Sequence, residues 1–275
     1  MAYENLSGGV LDYIPCRYMN SKLLFRGPKK EVAGKFVAMI GGTETYGKFI
    51  EKPYPALVNE AIGTECINFG CLNAGLDVFL KEPVIIEISS KARATVIQVV
   101  GAQNMSNRYY AVHPRRNDRF LRASLLLKSL FHEVDFTEFH FTKHMLGTLQ
   151  KFSAERFDIV REELKASWIS RMKLLINMIE GTTILLWFSQ NAPEDSLEHG
   201  GLGHDPLFVD RAMIETIRPI VDEVVEVVPD APTLAQKTRG MLYSSIEEPA
   251  AQELMGVGAH YEVARTLAEP LKRLI

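Results

Sequence analysis

Five short apolar runs, alternating with segments of helical period, restrict the folds open to this chain more than any other feature. They are Lys35–Gly41 (KFVAMIG), Glu65–Phe69 (ECINF), Thr95–Val100 (TVIQVV), Thr182–Phe188 (TTILLWF) and Glu223–Val228 (EVVEVV). Apolar runs of this length, bounded by turn residues, read as buried strands. Between them, Phe49, Ile50, Leu57, Val58, Ala61 and Ile62 recur at helical spacing from Tyr46 to Gly63, irregular where Pro53 and Pro55 interrupt. Pro83–Ser90 (PVIIEISS) is rich in β-branched residues, yet it lies between two strands whose parallel pairing needs a crossover, so a helix is expected there. Ala154–Ile179, with Ser153 as N-cap, is a long amphipathic helix, and Asp210–Val221, Met241–Leu254 and His260–Leu274 read as further helices. Strand–helix alternation of this kind predicts a three-layer α/β fold, a parallel sheet with helices on both faces.

With 275 residues, no repeat and no long linker, the chain is expected to be a single domain over 1–275. Residues 1–34 precede the first strand as an arm. Residues 103–152 are too long for a crossover and read as a helical insertion after the third strand, with helices at Asp118–Leu130 and Thr137–Leu149. No run approaches the roughly 20 apolar residues of a membrane span. The start, MAYENLSGGVLDYIPCRY, lacks the basic and apolar regions of a signal peptide. Cys16, Cys66 and Cys71 form neither a disulfide framework nor a CxxC motif, so a cytoplasmic protein is expected. The net charge of −3 argues against nucleic acid as a partner.

In open parallel sheets ligands bind beyond the C-terminal strand ends. That rule selects Gly41–Gly47, Gly70–Gly75, Gly101–Arg108 and Ser189–Asp205. Gly41-Gly42-Thr43-Glu44-Thr45-Tyr46-Gly47 resembles the first block, G-D-S-x-[TS]-x-G, of the SGNH (GDSL-type) hydrolase superfamily, with Gly42 in the Asp slot and Thr43 in the Ser slot. Asn68-Phe69-Gly70-Cys71-Leu72-Asn73-Ala74-Gly75 resembles the second block, whose oxyanion glycine would be Gly70 or Gly75. Gly101-Ala102-Gln103-Asn104 is similar to the third, G-x-N-D, with Gln103 in the Asn slot and Asn104 in the Asp slot. In the last block, D-x-x-H, the match fails: the His slot falls at about Leu254 and the Asp slot at about Ala251, with His260 a turn or two later. The resemblance implies a flavodoxin-like sheet of order 2-1-3-4-5 and acyl hydrolysis or transfer without cofactor or metal. Thr43 would be the nucleophile, Gly70 or Gly75 with Gln103 or Asn104 would hold the oxyanion, and His260 would be the default base. His204, His199 and His113 are the other candidate bases.

Asn104 to Arg122 carries five arginines and one aspartate. Arg108, His113, Arg115 and Arg116 suit a carboxylate, phosphate or sulfate group, which suggests a polar, anionic small-molecule or carbohydrate ester as substrate. Gly42, Glu44 and Asn73 would complete the binding site. Asp118 is expected to cap the helix that carries Arg119 and Arg122. His140 and His144, four residues apart, lack a third metal ligand nearby and read as ordinary helix residues. The alternative function is a catalytically degenerate relative that binds an anionic ligand or a partner protein. A homo-oligomer could form through the aromatics of the insertion.

Overall fold

The computed structural model of the protein describes residues 11–195 and 201–275. Five strands form one parallel sheet: β1 (Phe36–Gly41), β2 (Glu65–Gly70), β3 (Ala94–Gln98) and, after the insertion, β6 (Thr182–Phe188) and β7 (Glu223–Val227). Their order is β2-β1-β3-β6-β7, so strands are added outward in opposite directions from β1, with the switch between β1 and β3. This is the expected three-layer α/β architecture. The strands are buried on both faces because helices cover both. α2 (Tyr54–Ile62), together with the C-terminal helix Val257–Leu274, closes one side over Val37, Met39, Val96, Ile184 and Leu186. On the other side lie α3 (Leu76–Leu80), α4 (Pro83–Lys91) and α7 (Ala154–Met178), over Ala38, Ile40, Ile97 and Leu185. The alternation of inward residues along each strand is what splits the core in two.

Pro83–Lys91 is a helix despite its β-branched content. Pro at its first turn and the crossover it must make outweigh strand propensity. α7 begins where Ser153 Oγ accepts the Arg156 N–H. It buries Trp168, whose indole N–H donates to Val100 O at 2.7 Å and so ties the helix to the strand end next to the third loop.

The insertion departs from expectation. Its first half is a two-stranded antiparallel hairpin, β4 (Tyr110–His113) and β5 (Arg116–Ala123), not a helix beginning at Asp118. The buried positions Asn117, Phe120 and Ala123 are three apart, the spacing of a helix face. Here that spacing comes from the irregular register of the hairpin at Ala111, Val112 and His113. The following helix, α5 (Leu125–Leu130), is capped by Ser124, whose Oγ accepts the Leu127 N–H at 3.2 Å. A 3-10 turn at Phe136–Glu138 leads to α6 (Thr142–Phe152).

Towards the C-terminus, α8 (Arg211–Ile217) ends in a 3-10 turn, α9 (Ala231–Leu234) is a single turn, and the segment expected as one helix over Met241–Leu254 is a 3-10 turn followed by α10 (Glu248–Gln252). The last helix, α11, is Val257–Leu274. The N-terminal arm packs on the domain from Tyr13 onward, its ring against Tyr46 and its hydroxyl accepting the Phe49 N–H. Tyr18 and Phe25 are buried edge-on against Phe69, and the Arg26 guanidinium donates to the carbonyls of Tyr46, Gly47 and Glu51. No helix among the described residues is long and apolar enough to cross a membrane.

Candidate functional site

The first loop is shaped by one buried side chain. Gln98, the last residue of β3, places its Oε1 where it accepts the N–H of Gly42 at 3.0 Å, the N–H of Thr45 at 3.2 Å and the Thr45 hydroxyl at 2.6 Å. Asn68 Nδ2 donates to Thr45 O at 2.7 Å. The short helix α1 (Thr43–Tyr46) is thereby held against β2 and β3. Close approach explains two of the glycines: a Cβ on Gly70 would stand 2.1 Å from Tyr46 N, and one on Gly75 1.7 Å from Asn104 O.

Around this loop lies a cleft of about 660 Å³ at the C-terminal ends of β1, β3 and β6. Gly42, Thr43, Glu44, Asn73, Gln103 and Asn104 all line it. Thr43 Oγ1 accepts the Asn73 N–H at 2.9 Å and faces Asn73 Oδ1 at 3.4 Å. Asn73 adopts a left-handed conformation, φ 52°, which asparagine tolerates better than most residues. Its carbonyl accepts Asn104 Nδ2 at 3.1 Å, and its Nδ2 donates to Asp118 Oδ2 at 3.2 Å. Asn104 Oδ1 in turn accepts the Thr142 hydroxyl at 2.6 Å.

Several expected roles do not fit this geometry. The N–H groups of Gly70 and Gly75 already donate to Asn68 Oδ1 and Asn117 Oδ1, at 2.8 and 3.0 Å, so the backbone donor that reaches Thr43 is that of Asn73. His260 is fully buried, not poised as a base at Thr43. Its Nδ1 accepts the Tyr54 N–H at 3.1 Å, and its ring stacks on Tyr54 and meets Phe188 edge-on. Nδ1 being an acceptor leaves the ring proton on Nε2, which faces Glu44 Oε2 at 3.6 Å. Glu44 Oε1 accepts the Met255 N–H at 3.1 Å.

The arginines of the segment from Asn104 to Arg122 lie outside the cleft lining. Arg108 pairs with Glu163 at 2.6 Å. Burial raises the Glu163 carboxyl, but the hydrogen bonds from Arg108 and Ser167 outweigh it and hold it below its usual range. His113 Nδ1 accepts the N–H groups of Arg115 and Arg116, both at 3.2 Å, closing the hairpin turn, and those two side chains are exposed. Asp118 caps no helix; it lines the cleft, while Arg119 stacks on Phe141. Of the other candidate bases, His204 lines the cleft and His199 falls outside the described residues.

Ser189, Gln190 and Asn191 line the cleft from the selected loop Ser189–Asp205, and the cleft also contains residues that sequence reasoning passed over: Gln98, Lys143 and Glu253. Gln98 had a signal, a lone carboxamide inside the apolar run TVIQVV. Lys143 and Glu253 had none, since each is an ordinary charged residue brought in by tertiary packing. The slot matched to the family's catalytic His does reach the cleft, but Leu254 fills it.

A family model described as a domain of unknown function (DUF6473) matches residues 1–275. The chain belongs to this family. No curated protein matches the DUF6473 chain in sequence. Among solved structures it is similar to a protein assigned to the G-D-S-L lipolytic family from Desulfitobacterium hafniense DCB-2, at 14% identity and a TM-score of 0.41, covering 87% of this chain and 99% of that one. It is also similar to a gut microbial diltiazem-metabolizing enzyme, BT4096, at 12% identity and a TM-score of 0.37, covering 88% of this chain and 47% of that one. Overlap this loose carries no residue role from either protein to the DUF6473 cleft.

Proposed function

We propose that the protein is an acyl hydrolase or acyltransferase that takes a polyhydroxylated, carbohydrate-like ester into the cleft. The observation that carries this reading is that Thr43, Asn73 and His204 line one polar cavity at the sheet's C-terminal edge. Thr43 Oγ attacks the acyl carbon and His204 accepts its proton. The carbonyl oxygen gains charge near the N–H of Thr43, whose position in the first turn of α1 leaves it without an intrahelical acceptor. His204 then returns the proton to the departing alcohol oxygen. Water or a second hydroxyl releases the acyl group from Thr43.

Amides, hydroxyls and the Phe141 and Phe188 rings dominate the lining, a composition suited to sugar hydroxyls and ring faces. The anionic substrate suggested by the arginines loses its support, because Arg108, Arg115 and Arg116 do not line the cavity.

A second reading, ligand binding without chemistry, is favoured by one specific observation. The Thr43 hydroxyl is engaged by Asn73, while Leu254 fills the slot where the resemblance would place the base. Hydrolysis of p-nitrophenyl acetate and of acetylated monosaccharides by wild type, Thr43→Ala and His204→Ala separates the two. Enzymatic function requires turnover that Thr43→Ala abolishes and that His204→Ala lowers about 100-fold or more. Turnover that survives Thr43→Ala would sink the nucleophile assignment, and folded wild type inactive on the whole panel would leave the binding reading in possession.

A further inference from the structure

The arginines that the cleft does not use stand beside exposed leucines at the corner where β5 passes into α5. Phe120 and Ala123 are buried at the end of β5, while Leu121 between them is 55% exposed and Arg122 is exposed too. The six-residue helix α5 sets Leu127 into the core and leaves Leu125 83% and Leu126 50% exposed. Singly exposed apolar side chains are ordinary, but leucines at 121, 125 and 126 concentrate apolar surface in one short stretch. Of the five arginines, Arg108 is paired with Glu163, and Arg119 lies over the Phe141 ring, 4.4 Å from its centroid. Arg115, Arg116 and Arg122 have no ion pair among the described residues. The chain as a whole carries −3, so this cationic corner is set against an acidic remainder. Contact with an anionic surface is therefore favoured in one orientation, with the hairpin and α5 facing it.

We infer that Leu121, Leu125 and Leu126, with Arg122 beside them and Arg115 and Arg116 along the hairpin, seat the protein on an anionic lipid surface. Charge complementarity selects an anionic partner, and the exposure of the leucines selects a bilayer. A protein partner would have to supply a pocket for side chains that stand clear of their neighbours. A bilayer admits leucine into the boundary between headgroups and acyl chains, and offers phosphates to arginine, without any preformed fit. The association is peripheral, the protein lying on the lipid surface. Asp118, which lines the cleft, precedes Leu121 by three residues on β5, so a docked molecule holds its cleft close to the bilayer. The inference stands on this surface alone and needs none of the acyl chemistry.

The test is co-sedimentation of the full chain with vesicles of phosphatidylcholine alone, or of phosphatidylcholine with about 30% phosphatidylglycerol, at low salt. The expected result is binding to the anionic vesicles about tenfold or more stronger than to the neutral ones, falling several-fold at about 0.5 M salt. Leu125→Ser combined with Leu126→Ser removes the apolar contribution and should weaken binding about tenfold or more. Arg122→Glu should weaken it about fivefold or more, since each arginine near an anionic surface counts for about that factor. Ile246→Ser alters an apolar residue that is 88% exposed on a different element, and should leave binding unchanged. The lipid-charge and salt dependence of wild type carries the test should a variant not fold. Equal binding to both vesicle types, none to either, or an equal loss in Ile246→Ser would overturn the inference. So would sedimentation velocity in which wild type dimerises, the double leucine variant does not, and vesicles are not bound, because the patch would then join two copies of the chain.

Discussion

Replacing Gln98 by Met tests the idea that one carboxamide shapes the loop carrying Thr43 and Glu44. Methionine keeps the volume but cannot accept the hydrogen bonds that Gln98 Oε1 receives from Gly42 N, Thr45 N and Thr45 Oγ1. The Thr45 hydroxyl retains Tyr54 Oη at 2.7 Å, whereas the two backbone N–H groups lose their buried acceptor. At about 1–3 kcal/mol for each buried donor left unpaired, the loss should be roughly 2–6 kcal/mol. For a chain of this size about 3 kcal/mol corresponds to a fall in Tm of roughly 6–12 °C. Urea unfolding followed by circular dichroism reads the loss directly, with the m-value expected to stay at its wild-type level. Combining the substitution with Thr45→Val gives a further check. Because both changes break the same bond, their combined cost should fall short of the sum by about 0.5 kcal/mol or more. A loss under about 1 kcal/mol with additive double-variant energetics would refute the reasoning, since the loop would then be held by other contacts.

Other perturbations probe different supports. Arg26→Ala removes the donor to three carbonyls around α1 and should lower stability by about 1–3 kcal/mol in thermal or urea unfolding; an unchanged midpoint would show that the arm does not hold the loop. Asn117→Leu strands the N–H of Gly75, while that of Val78 keeps Gly75 O at 3.3 Å, and a cost of about 1–3 kcal/mol is expected, to be read as a shift in urea midpoint. Hydrogen bonds from Arg156 hold the Glu133 carboxyl down at about 2. A carboxyl lowered in the folded state contributes stability above its unfolded value, near 4.3, and loses it as the pH falls towards 2. Arg156→Leu should therefore narrow the difference between Tm at pH 5 and at pH 2.5, and equal slopes for the two proteins would contradict this. Burial pushes the Cys66 thiol up to about 12, so native protein at pH 8 should resist iodoacetamide at that residue while urea-unfolded protein reacts readily, as mass spectrometry can follow.

The sheet was legible because its strands are buried on both faces and so appear as unbroken apolar runs ended by glycine or polar loops. Pro83–Lys91 was legible too, through topology, since a parallel pair requires a crossover whatever the local propensity. The hairpin was not. Asn117, Phe120 and Ala123 copy a helical period, and only pairing with Tyr110–His113, a contact invisible in local pattern, converts that period into a strand. At the candidate site, loop chemistry pointed to Thr43, Glu44, Asn73, Gln103 and Asn104, which line the cleft because each follows a strand whose end faces it. Charge misled the reading in both directions. Arginines close in sequence to the third loop point outward along the hairpin, while acids from four separate segments converge.

The anchoring of Glu44 has a consequence for how the protein is made. Its two backers, Met255 and His260, lie more than two hundred residues further along the chain, the hydrogen bond from Met255 spanning 211 positions. A ribosome-bound chain can pair β1, β2 and β3 and hang α1 on Gln98 while the carboxylate beside Thr43 still has no support. Emergence of the final helix supplies that support, and contacts of such long range are the last to form. A chain that lacks the final helix thus loses the cover over one face of its sheet together with the support of Glu44, so the order of the cleft and the burial of that face are completed by the same segment.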